Sequence, residues 1–313
     1  MFRKQSTSLP SKVMAGHRKA PILTGAAAWL AYRPLCRMAV ALAWVGLPAM
    51  LASRLSQAYV SGPGGKALSA LAMAALILYA FACYARLIER RAPAELAARP
   101  AGAELLGGAV LGAAVFALAI GILAALGVFT IAGSRNPMLL LAAIPGAMMV
   151  AVFEEIMFRA IVFRALEESF GSWSALAVSG SIFGLMHMGG AESSFQAAIA
   201  VTVEAGLLLG VAYMVTRRVW LCIGIHFGWN LTQGALFSLS VSGRAQEGVF
   251  ISQLTGSPWL TGGWFGVEAS LVAVLTCLVP CAALSAYAYK TGKAWPPRRR
   301  QKELVAVPVV ERA

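Results

Sequence analysis

Eight apolar runs, separated by short polar or basic loops, leave this chain few folds to choose from. They extend over Cys36 to Ala52, Ala67 to Ala85, Leu105 to Ile131, Pro137 to Leu166, Trp173 to Met188, Phe195 to Thr216, Val219 to Leu239 and Gly266 to Tyr289. A helix of about 20 apolar residues crosses a bilayer. In lipid the backbone N–H and C=O groups must be satisfied within the segment, and long runs without strand alternation do this as helices. Charged residues make up only 12% of the chain, against about 25% in a soluble domain. The expected fold is all-α, a polytopic membrane bundle of about eight transmembrane helices.

The charges are as informative as the apolar runs. The chain holds 26 Lys plus Arg and 13 acidic residues, for a net charge of +13, and every acid is Glu. The basic residues sit at run ends and in both tails rather than in one patch. That is the pattern of the positive-inside rule, so we expect no nucleic-acid partner. The basic N-terminal tail to Arg37, the loop from Arg86 to Arg99, Arg164, Arg217 with Arg218, and the C-terminal tail fall on one side of an even number of spans. Both termini are therefore expected in the cytoplasm, with the basic tails against anionic lipids. Residues 1–34 read as a basic tail or interfacial helix (the short stretch Ile22 to Tyr32 is followed at once by Arg33 and Pro34), 35–290 as the bundle and 291–313 as a basic disordered tail. Cys36, Cys83, Cys222, Cys277 and Cys281 form no CxxC pair and read as small buried hydrophobes. Gly108 with Gly112, Gly206 with Gly210 and Gly224 with Gly228 have the spacing that lets helices approach closely.

An ionisable group within a span costs roughly 2.5–3.5 kcal/mol on insertion scales, so those that are kept point to function. The set here is Glu154, Glu155 and Arg159 in the fourth run, His187 in the fifth, Glu204 in the sixth and His226 in the seventh, with Asn230 as a polar amide. Adjacent residues diverge by about 100° around a helix. Glu155 and Arg159, four apart, can pair on one face, which leaves Glu154 to point elsewhere. A carboxylate in an apolar site beside a like charge suits a general base. Phe183 and His187 lie one turn apart. His226 and Asn230 do so as well, and an imidazole with an amide can donate two hydrogen bonds to one oxygen, as an oxyanion hole must. Each feature alone also fits a paired charge or a satisfied buried histidine. Glu204 has no evident role, although a pairing with Arg159, a place along a substrate path or the capping of a polar pocket would each account for it.

Glu154-Glu155-x-x-x-Arg159, then Phe183-x-x-x-His187, then His226-x-x-x-Asn230 occur in order on three separate runs. This pattern resembles the CPBP family of intramembrane endopeptidases, which contains the CAAX prenyl endopeptidases and bacteriocin-processing enzymes. The resemblance covers about Pro137 to Leu239. It implies that Glu154 is the catalytic glutamate and that His187 helps it orient and activate a water. It implies that His226 and Asn230 stabilise the tetrahedral intermediate, with Glu155, Arg159 and Phe183 in support. The expected substrate is a membrane-anchored protein or peptide, and the expected location a bacterial inner membrane. No cofactor is favoured. The alternative is a zinc protease with Glu154, His187 and His226 as ligands, although the HExxH motif is absent. A non-catalytic bacteriocin-immunity or scaffold protein of the same fold is a further alternative, and a proton-coupled carrier another.

The expected depths disagree with one another. Glu154 falls about 12 residues from the cytoplasmic end of its run and His226 about 7, roughly 18 and 10 Å. His187 comes out deeper, which requires a tilted segment or shifted boundaries.

Overall fold

The computed structural model describes residues 33–190 and 194–297. The short stretch before Arg33 and the Arg run after Pro297 lie outside the described residues. The chain is an all-α integral membrane protein, and among the described residues six helices are long and apolar enough to cross a bilayer. These are α1 (Pro34–Tyr59), α2 (Pro63–Leu87), α3 (Ala101–Ala125), the continuous helix Met138–Phe170, the helix Phe195–Thr216 and the last helix, Leu271–Lys290. Apolar side chains such as Leu47, Leu51 and Leu106 stand exposed on their outer faces, where lipid rather than water is the compatible neighbour.

Two of the eight apolar runs form shorter helices. The fifth is the 15-residue Ser172–Met186, and the seventh is the 11-residue Trp220–Asn230 continued by Leu231–Leu236. Fifteen residues of helix span about 23 Å, less than the roughly 30 Å of bilayer hydrocarbon. Two run ends are also corrected. Gly127, with φ at 72°, turns the chain out of α3. Residues Phe129–Ser134 then form β1, paired antiparallel with β2 (Phe250–Leu254), so the expected helix to Ile131 stops short. Gly266 to Ser270 is a turn that precedes the last helix rather than its first residues.

Three helices loosen from i→i+4 to i→i+5 hydrogen bonding. Met138–Phe170 comprises α4 (Met138–Glu155), a π segment (Ile156–Phe163) and α5 (Arg164–Phe170). The helix Ser172–Met186 is α6. Phe195–Thr216 comprises α7 (Phe195–Val201), a π segment (Thr202–Leu207) and α8 (Leu208–Thr216). Trp220–Asn230 is α9, followed by the third π segment (Leu231–Leu236), and Leu271–Lys290 is α10. Such widened turns recur at functional sites because they displace side chains from regular helical register.

Glycines set how closely the helices approach. A Cβ at Gly112 would lie 2.0 Å from the Ile225 carbonyl oxygen, and one at Gly228 would lie 2.1 Å from that of Ala109. The two GxxxG pairs on α3 and α9 thus pack against each other, backbone on backbone. Gly206 meets Gly180 in the same way.

Ion pairs tie one end of the bundle. Arg37 bonds Glu168, Arg164 bonds Glu89, and Arg91 reaches Glu95 at 2.8 Å and Glu89 at 2.6 Å. Arg218 pairs with Glu104, and Arg217 with Glu167. Burial alone would raise the Glu89 carboxyl, but Arg164 and Arg91 outweigh it and hold it below the usual range. Trp295, expected in a disordered tail, accepts from the Ser172 N–H at 2.9 Å through its carbonyl. Its indole lies 3.9 Å from the Arg217 guanidinium. These arginines are therefore paired within the protein.

Candidate active site

All four expected catalytic residues line one cavity of about 1200 Å³. Glu154 and Glu155 sit at the last turn of α4, immediately before the first π segment. Their side chains diverge as the helical turn requires. Glu155 is fully buried, whereas Glu154 keeps 23% of its side chain exposed, on the cavity wall. Glu155 pairs with Arg159 at 3.0 Å on the opposite side.

Arg159 makes three contacts. It pairs with Glu155, donates to the Ala205 carbonyl at 2.6 Å, and lies 4.9 Å above the Phe183 ring. The suggested pairing of Arg159 with Glu204 is therefore replaced by a contact to the neighbouring backbone. Phe183 packs edge-on against Phe158 at 4.7 Å and lies 4.9 Å from the His187 ring.

Both histidines commit Nδ1 and leave Nε2. At the end of α6 the chain tightens, and the His187 N–H turns back to Gly184 and Leu185. The Phe183 carbonyl then lies 2.8 Å from His187 Nδ1 and accepts its proton. On α9, His226 Nδ1 lies 2.9 Å from Glu155 Oε1, and its Nε2 is 3.9 Å from Glu154 Oε2. The contact between Glu155 and His226 escapes the sequence, where Glu155 pairs only with Arg159. Asn230 closes α9 at the third π segment and lines the same cavity one turn from His226.

The observed boundaries bring Glu154 and His187 to matching depths, while His226, six residues into α9, still counts as shallower although its ring reaches within 3.9 Å of Glu154. The fourth-run helix continues past Leu166 to Phe170, so Glu154 lies 16 residues from that end. His187 lies 15 residues from Ser172, at the inner end of a helix too short to cross.

Two further acids line the cavity. Glu204 is in the second π segment and Glu268 in the turn before α10. Glu268 accepts from the Ser242 N–H and is bonded by Gln233. Its signal in the sequence was an acid at the edge of an apolar run, and the intramembrane set leaves it out. Burial pushes the Glu268 carboxyl up to about 7, against hydrogen bonds from Ser242 and Gln233 that lower it. The folded state therefore prefers this group protonated. The resulting stability is complete below the ordinary value of 4.5 and is lost as the pH rises through about 7. Unfolding in detergent should show a loss on the order of 3 kcal/mol between pH 5 and 9. The loss should be absent in Glu268→Gln; equal slopes for the two proteins would refute it.

Among the described residues no three His, Cys, Asp or Glu side chains gather as a metal-holding group. Glu154, His187 and His226 share a cavity but do not form the three-ligand set of the zinc alternative.

Residues 136–232 match the family model described as type II CAAX prenyl endopeptidase Rce1-like. The matched segment contains all three motifs, and the family it resembles is one of CAAX-type endopeptidases. No curated protein and no solved structure matches the chain. Within the Rce1-like segment lie Glu154, His187, His226 and Glu204, whereas Glu268 reaches the same cavity from outside it.

Proposed function

We propose that this protein hydrolyses a peptide bond of a membrane-anchored protein or peptide with a water activated by Glu154. The observation that carries the reading is the relation of two side chains. His226 Nε2 stands 3.9 Å from Glu154 Oε2, while Glu155 holds the other ring nitrogen at 2.9 Å. A gap of 3.9 Å exceeds a direct hydrogen bond and leaves the two groups to meet through the oxygen of the attacking water.

In the proposed reaction Glu154 takes a proton from water, and the hydroxide oxygen bonds the peptide carbonyl carbon. His187, with Nδ1 tied to Phe183, offers Nε2 to orient that water. The Asn230 amide donates to the oxygen that becomes negative. His226 has a more exacting part. Glu155 accepts from its Nδ1–H, so a neutral ring has only a lone pair at Nε2. It donates to the oxyanion only when it carries both protons, and Glu154 and Glu155 on its two sides supply the compensating charge. Collapse of the intermediate breaks the C–N bond, and the proton held by Glu154 passes to the leaving nitrogen. The products are a carboxylate and an amine.

The substrate we propose is a protein or peptide already held in the bilayer. The protein would work in a bacterial inner membrane with both ends cytoplasmic and its basic tails on anionic lipids, a reading supported by the arginines gathered at one end of the bundle.

The test is cleavage by the full chain in liposomes with a pool of membrane-anchored peptides. Wild type and Glu154→Gln are compared with and without a strong zinc chelator. Cleavage that requires Glu154 and survives the chelator is the expected result. Loss to the chelator with recovery on added zinc would overturn the metal-free mechanism, and equal cleavage by Glu154→Gln would overturn the role of Glu154.

A further inference from the structure

The cavity holds more acid than the proposed hydrolysis uses. Glu204 is only 7% exposed, and its Oε1 has no hydrogen-bond partner among the described residues. A buried carboxylate oxygen without a partner is costly, and such groups call for an explanation. Arg159, whose pairing with Glu204 the sequence suggested, is held by Glu155 and by the Ala205 carbonyl next to Glu204. Glu204 instead shares the lining of the cavity with Glu268. Glu268 is 5% exposed and is fixed from behind by Ser242 and Gln233. It also lies within electrostatic reach of His226, which places the acid pair beside the proposed reaction centre.

Two buried acids facing one cavity, one of them with an unused oxygen, are matched by a ligand that brings positive charge and several N–H donors. Lysine and arginine side chains do this on an otherwise apolar peptide, and their alkyl stems suit apolar walls. The second π segment contributes by displacing Glu204 from regular register. We propose that Glu204 and Glu268 form an acidic subsite of this cavity that takes a lysine or arginine side chain of the substrate. The assignment rests on the protease reading for its biological meaning, while the binding preference it predicts does not.

The experiment measures both. Fluorescent transmembrane peptides that differ only by lysine or norleucine at one position are offered to the full chain in detergent, and binding and cleavage are read separately. The lysine is moved along the peptide in single steps. At one or two positions wild type should bind the lysine peptide at least about tenfold tighter than its norleucine twin. In Glu204→Gln with Glu268→Gln that ratio should fall to about one, with thermal unfolding used to check that the variant is folded. The wild-type ratio is itself a test that no variant's folding can obscure. Cleavage without any lysine preference would overturn the subsite and leave the protease reading standing. A lysine preference in binding without cleavage of any peptide would support the subsite and count against the protease. A preference that persists in the double variant would place the recognition elsewhere and overturn the assignment.

Discussion

Glu154→Gln should lower the rate of peptide cleavage by about 10²–10⁴-fold, the range that a positioned general base supplies. The amide keeps the shape of the side chain and removes only its ability to accept the proton of water. Folding should be almost unaffected, because Glu154 lies on the cavity wall while Glu155 holds the buried ion pair with Arg159. Glu155→Gln should behave differently, through two losses at once. It leaves Arg159 as a buried cation without its carboxylate, a change of about 3–5 kcal/mol, and it weakens the hold on His226 Nδ1. Rate and stability measured together therefore separate the two adjacent glutamates. A Glu154→Gln protein that cleaves at the wild-type rate would end the assignment. A Glu155→Gln protein of wild-type stability would show that the buried pair does not hold the helix.

Gly228→Leu should disrupt the bundle, with a loss of more than about 3 kcal/mol in detergent unfolding. The first atom of any side chain there falls 2.1 Å from the Ala109 carbonyl oxygen and 2.7 Å from the carbonyl carbon. Both are backbone atoms, so relief requires α3 and α9 to separate. His226 lies two residues earlier on α9, and the separation would carry it away from Glu154, so activity should be lost as well. Gly121→Leu on α3 is the control, because a Cβ there meets nothing within 4 Å. It should leave stability unchanged or slightly raised, as expected when glycine leaves a helix interior. Equal effects at the two positions would mean that close approach of α3 and α9 does not hold the structure together.

The sequence by itself determined the membrane, the helical class and the likeness of residues 136–232 to the Rce1-like family. These follow from local rules. Apolar runs of bilayer length exclude a soluble fold, a carboxylate four residues from an arginine pairs with it, and three short motifs in fixed order survive without knowledge of packing. The GxxxG pairs were visible too, but not that the pair on α3 meets the pair on α9. Only the tertiary structure decided which group each side chain faces. Glu155 reaches His226 across 71 residues of sequence, and β1 finds a partner more than a hundred residues away. Trp295 leaves the expected tail to anchor at Ser172. The three π segments have no periodic signature in the sequence, yet they place Glu204 and end the α-helical stretches at Glu155 and Asn230. The cavity that unites Glu154, His187, His226, Glu204 and Glu268 is the sum of such contacts. Helical periodicity fixes the face a residue occupies on its own helix, but the opposing face is set by how the helices cross.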